Sequence, residues 1–63
     1  MARATYRQVK AVNLEHNDEI IDPEGNEAVV IRVRLIDHLR CRLETDLGVA
    51  VVDQDEHFPV KQH

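Results

Sequence analysis

The sequence predicts an all-β protein: a small barrel, or a strongly bent antiparallel meander, of about five short strands. Three observations lead there. Aliphatic and β-branched residues come in short runs, of which residues 28–36, AVVIRVRLI, are the longest. Turn formers punctuate those runs at close spacing: Asp22-Pro23-Glu24-Gly25, Asp37-His38-Leu39 and Asp46-Leu47-Gly48. No stretch keeps a 3.6-residue apolar period over the length a stable helix needs.

With 63 residues the chain accommodates one domain. We divide it into a basic N-terminal arm, residues 1–13, and a single small β-barrel domain, residues 14–61. So short a chain buries a modest fraction of its surface, so it needs tight packing or a second subunit. Its one cysteine, Cys41, excludes an intrachain disulfide, which fits a reducing compartment. The expected location is the cytoplasm. No apolar run approaches the roughly 18–20 residues of a membrane span. The basic N-terminus has no apolar segment behind it, so no signal peptide is expected.

The net charge of −4 hides a segregated distribution. Arg3, Arg7 and Lys10 make the arm basic. Glu15, Asp18, Glu19, Asp22, Glu24 and Glu27 make the next stretch acidic. Arg32, Arg34, Arg40 and Arg42 then outweigh Asp37, and the C-terminal third is acidic again. A dipolar surface follows, and overall acidity opposes wholesale binding to nucleic acid.

Taken in order, the arm supports two readings. Thr5 and Gln8 have capping-box spacing, yet two turns make a poor isolated helix. Val9, Val12 and Leu14 suit an extended segment, and a strand or extended arm is the reading adopted. Leu14 to Ile21, LEHNDEII, follows. This octamer resembles the L-x-x-G-D-x-[IV]-x entry of SH3-like small barrels, including KOW and Tudor-like domains. The entry needs a residue at positive φ before the strand, and Asn17 is the next best residue after glycine. Asp18 is then placed to accept nearby backbone N–H groups. The resemblance covers residues 14–60 and implies an SH3-like barrel.

Glu19 to Asp22 reads as a strand ended by a type I turn at Asp22-Pro23-Glu24-Gly25. Glu27 to Ile36 is the next strand, with Val29, Ile31, Val33 and Leu35 on one face and Ala28, Val30, Arg32, Arg34 and Ile36 on the other. Arg40 to Thr45 follows. A three-residue loop, Asp37 to Leu39, keeps the faces consistent by setting Leu35 against Cys41 and Val33 against Leu43. A second three-residue loop, Asp46 to Gly48, sets Thr45 against Val49 and Leu43 against Val51. Strands at Val49–Asp53 and Phe58–Val60 complete the count, with Pro59 calling for an edge or terminal position. The expected core is Leu14, Ile20, Val29, Ile31, Val33, Leu35, Cys41, Leu43, Val49, Val51, Phe58 and Val60.

This register gathers the arginines: Arg34 opposes Arg42, Arg32 opposes Glu44, and Arg40 lies beside Ile36. The same face is expected to carry Ala28, Val30, Ile36, Ala50 and Val52, which is too apolar for a purely hydrated surface. The expected function is therefore a small non-catalytic interaction module. Its expected partner-binding residues are Val30, Arg32, Arg34, Ile36, Arg40, Arg42 and Val52, and the partner is a protein or a second copy forming a homodimer. The alternative is a nucleic-acid-binding barrel using Arg3, Arg7, Lys10, Arg32, Arg34, Arg40 and Arg42. It comes second because the chain is acidic and its two aromatics, Tyr6 and Phe58, lie outside the arginine strands.

No catalytic or metal-binding residue is expected. The chain has no serine, its two glycines are too few for a phosphate loop, and its carboxylates fall in turns and solvent-facing positions. His38 and Cys41 form an isolated H-x2-C with no second pair to complete a zinc site. No cofactor, small-molecule substrate or membrane contact is expected.

Overall fold

The computed structural model describes residues 5–62. They form an all-β, strongly bent antiparallel sheet of six strands: β1 (Thr5–Lys10), β2 (Glu19–Ile21), β3 (Glu27–Leu35), β4 (Arg40–Thr45), β5 (Gly48–Asp53) and β6 (His57–Gln62). The strand order is β1-β6-β2-β3-β4-β5. A single 3-10 turn, Ala11–Asn13, follows β1. No helix among these residues is long and apolar enough to cross a membrane.

Within the arm, Thr5–Lys10 is part of the sheet. β1 pairs with β6 from Thr5↔Gln62 to Lys10↔His57, and Ala11 lies fully buried in the core. Ala11 N–H donates to the Glu56 carbonyl at 2.7 Å and Val12 N–H to the Gln54 carbonyl at 3.2 Å. Gln54 in turn ties the 53–56 turn to the β3–β4 loop, donating from its backbone to Leu39 O at 2.9 Å and from Nε2 to Asp37 O at 2.6 Å.

The entry to β2 forms as expected. Asn17 is the one non-glycine residue with positive φ among those described, at 73°, and the Asp18 carboxylate accepts the Glu15 N–H at 2.8 Å. The left-handed residue turns the chain so that Asn17 N–H donates to Val30 O and Asp18 O accepts from Val30 N–H, both at 2.8 Å. Asp22 organises the next turn. Its backbone carbonyl accepts the Gly25 N–H, and its carboxylate accepts the N–H groups of Glu24 and Asn26 at 2.9 and 2.8 Å.

β3 is the hinge of the bend. Its first half pairs with β2 and its second half with β4, and the register shifts between Val30 and Arg32. One extra residue at this bulge puts both Ile31 and Arg32 on the outer side. The strict alternation expected along β3 therefore fails. Ala28 and Val30 enter the core, Ile31 is 47% exposed, and Val33 is half-buried on the inner side. Leu35 keeps its expected partner Cys41 but projects past the end of the core and is exposed.

The β4–β5 connection also departs from expectation. The loop has two residues, Asp46 and Leu47, and pairs Thr45 with Gly48 and Leu43 with Ala50. Local bonds account for this. Thr45 Oγ1 accepts the Leu47 N–H at 3.1 Å and donates to Gly48 O at 3.3 Å. Asp46 is committed to β3, its carboxylate accepting the Val29 N–H at 2.8 Å and its own N–H donating to Val29 O at 3.1 Å. Gly48, at φ 140°, therefore begins the strand. A one-residue change of register inverts every side chain beyond it. Ala50 and Val52 face inward, Val52 packing on the core, while Val49 and Val51 face outward.

The core comprises Ala11, Leu14, Ile20, Ala28, Val30, Cys41, Leu43, Phe58 and Val60. Pro59 lies in an interior strand rather than at an edge, because β6 runs between β1 and β2. The ladder on the β2 side is the single pair Ile20↔Val60, so β6 has little pairing there for a proline to interrupt.

Candidate functional site

The outer side of β3–β4–β5 is built as three cross-strand rows. Arg32, Glu44 and Val49 form the first, and Arg34, Arg42 and Val51 the second. Arg40 and Asp53 form the third, with Ile36 just past the end of β3 donating its N–H to Arg40 O at 3.1 Å. The bulge adds Ile31 to the outer side beside Arg32. Of the expected partner-binding residues, the structure thus brings together Arg32, Arg34, Ile36, Arg40 and Arg42. It moves Val30 and Val52 to the inner side, where Val30 is 0% exposed. Ile31, Val49 and Val51 take their place, Val49 and Val51 being 55% and 56% exposed. No sequence signal marked Val49 and Val51, because their orientation depends on one residue of loop length.

The charges on this face are unevenly satisfied. Arg32 Nε bonds the Glu44 carboxylate at 2.9 Å, and Arg42 Nε stands 3.9 Å from the same oxygen. The Arg32 hydrogen bond, with the charges of Arg32, Arg42 and Arg34 behind it, holds the Glu44 carboxyl below the usual glutamate range. Arg40 pairs with Asp37 at 3.6 Å. The Asp37 carboxyl is likewise held low, chiefly by the N–H groups of Leu39 and Arg40, each at 2.8 Å. Arg34 has no carboxylate partner among the described residues and faces Arg42 directly across the ladder.

The other expected basic residues lie elsewhere. Arg7 and Lys10 are on β1, at the opposite end of the strand order from β5, and Lys10 pairs with Asp55 at 3.6 Å. Arg3 lies outside the described residues. Cys41 is buried, which pushes its thiol pKa up, and the nearby carboxylates of Glu56 and Asp53 add to that. Among the described residues no three His, Cys, Asp or Glu side chains converge as a metal site would require.

The fold and this face define a small all-β protein with a mixed arginine–aliphatic surface. No family model, curated protein or solved structure matches the chain.

Proposed function

We propose that the protein is a small non-catalytic interaction module that docks a protein partner on the outer side of β3–β4–β5. The observation that carries this reading is the Arg34–Arg42 pair. Like charges directly opposed across a ladder destabilise it. A partner carboxylate set between the two guanidiniums converts that repulsion into two charge-assisted hydrogen bonds. Ile31, Val49 and Val51 flank the pair, each with about half its surface still to bury. Covering them is worth on the order of 1 kcal/mol each. The partner chemistry that fits is an acidic group amid apolar side chains, on another protein or on a second copy. Nucleic acid fits less well, because Glu44 occupies the centre of the arginine cluster and the face carries no aromatic side chain for base stacking. An SH3-like kinship, supported by the Asn17 entry, and a cytoplasmic location, supported by the free Cys41 thiol, belong to the same proposal.

The test compares immobilised wild-type protein with the Arg34→Glu, Val51→Glu double variant, both shown to be folded. Each is exposed to extract of the cells that make the protein and to mixed-sequence oligonucleotides at low ionic strength. Proteins retained by the wild type and lost by the variant are the expected result. Identical retention by both overturns the proposal, and salt-sensitive retention of oligonucleotide alone replaces it with the nucleic-acid reading. Sedimentation at micromolar concentration identifies the case in which the partner is a second copy.

A further inference from the structure

The inner side of β5 presents a second surface, which shares only Val49 with the outer face. A groove of about 330 Å³ runs between β5 and the Asp22–Glu24 turn. Its floor is apolar, formed by Ile20, Leu43, Val52 and Phe58. The sheet is open here. β5 pairs with β4 along one edge, and no strand among those described occupies the other. Between Gly48 and Val52 that free edge has no charge, no proline and no register shift, the usual devices that stop a strand from pairing further. The opposite lip carries Asp22 and Glu24. The Asp22 carboxylate is held in place by the turn N–H groups, and neither side chain has a cationic partner among the described residues.

We propose that β5 accepts an extended peptide as an additional strand, with alternate apolar side chains in this groove and a lysine or arginine at the Asp22–Glu24 lip. Main-chain pairing to β5 supplies affinity, and the groove reads every second side chain, the mode of recognition called β-augmentation. A paired strand sits about 4.8 Å from β5, which places its inward side chains over the apolar floor. The charge of the lip selects the occupant. A second copy's β5, Gly48–Asp53, contains no lysine or arginine and ends in Asp53, so it brings no cation to Asp22 and Glu24. The basic apolar peptide required here is also the opposite of the acidic partner that suits the arginine face, so the two surfaces succeed or fail independently.

A display library of random peptides is the probe, selected on the full chain. Enriched peptides are synthesised and titrated into isotope-labelled protein, with amide hydrogen exchange read residue by residue. Enriched sequences are expected to alternate apolar residues and to end in lysine or arginine. Exchange is expected to slow along Val49–Asp53, and peptides N-methylated at alternate backbone positions are expected not to bind. Asp22→Asn with Glu24→Gln keeps the oxygen that caps the turn and removes both charges. That variant is expected to weaken binding by roughly five- to tenfold, as for two exposed ion pairs. Absence of enrichment, equal binding of the N-methylated form, a preference for acidic peptides, or unchanged affinity in the double variant overturns the proposal. So does slowed β5 exchange that appears without peptide as protein concentration rises, since the occupant is then a second copy.

Discussion

Two isosteric substitutions, Val30→Thr and Val51→Thr, isolate the inside from the outside of the sheet. Threonine matches valine in volume, so neither change opens a cavity, and each replaces one methyl group by a hydroxyl. Val30 is 0% exposed, in a core with no buried polar side chain among the described residues. Its own N–H and C=O are already bonded to Asp18 and Asn17. A hydroxyl placed there without a partner costs about 1–3 kcal/mol. Val51 is 56% exposed, its hydroxyl stays hydrated, and the change is expected to stay within about 0.5 kcal/mol. In a domain of this size each kcal/mol moves the melting temperature by roughly 4–8 °C. Val30→Thr is therefore expected to lower it by on the order of 10 °C, while Val51→Thr barely moves it. Thermal and urea unfolding followed by circular dichroism measures both. If Val51→Thr costs as much as Val30→Thr, or more, Val51 does not face solvent and the two-residue loop before β5 is misplaced.

The same architecture sets other outcomes. Asp46→Ala removes the acceptor of the Val29 N–H and is expected to cost about 1–2 kcal/mol, with faster hydrogen exchange at that amide. Arg34→Glu places a carboxylate opposite Arg42 and is expected to raise stability by about 0.2–1 kcal/mol while abolishing partner capture; a loss of both would mark Arg34 as merely structural. Acid is expected to weaken the fold through Glu44 and Asp37. Both carboxyls titrate lower in the folded chain, so their contribution is fully present above their ordinary values, 4.5 and 3.8, and disappears as pH falls through the lowered ones. The urea midpoint of a Glu44→Gln, Asp37→Asn variant should then fall less steeply with acid than that of the wild type, and parallel curves would refute the assignment.

Much of the framework is legible in the residues because it depends on local chemistry. Asn17 tolerates positive φ, and Asp18 and Asp22 each reach backbone N–H groups a few residues away. The loop at Asp37 to Leu39 follows from keeping Leu35 and Val33 on the same face as Cys41 and Leu43, and that reasoning also places Arg34 against Arg42. The misplaced residues share a different cause. Val30, Val49, Val51 and Val52 are alike in hydropathy, and only parity decides which of them meets water. Parity turns on one extra residue near Ile31 and one fewer at Gly48, and both are tied to Asp46, which bonds a residue 17 positions away.

Periodicity and turn chemistry alone therefore carry the all-β class, most of the turns, and the clustering of Arg32, Arg34 and Arg42. These are consequences of backbone preference and of neighbours a few residues apart. Which aliphatic side chains join the arginines, that Ala11 ties the N-terminal strand into the core, and that β5 is left with a free edge beside an acidic lip were decided by how the open sheet bends and pairs. That bending is a long-range event. The bend in β3 and the pairing of β6 with both β1 and β2 set the face of every strand at once, and in a two-residue period a single insertion reverses the answer.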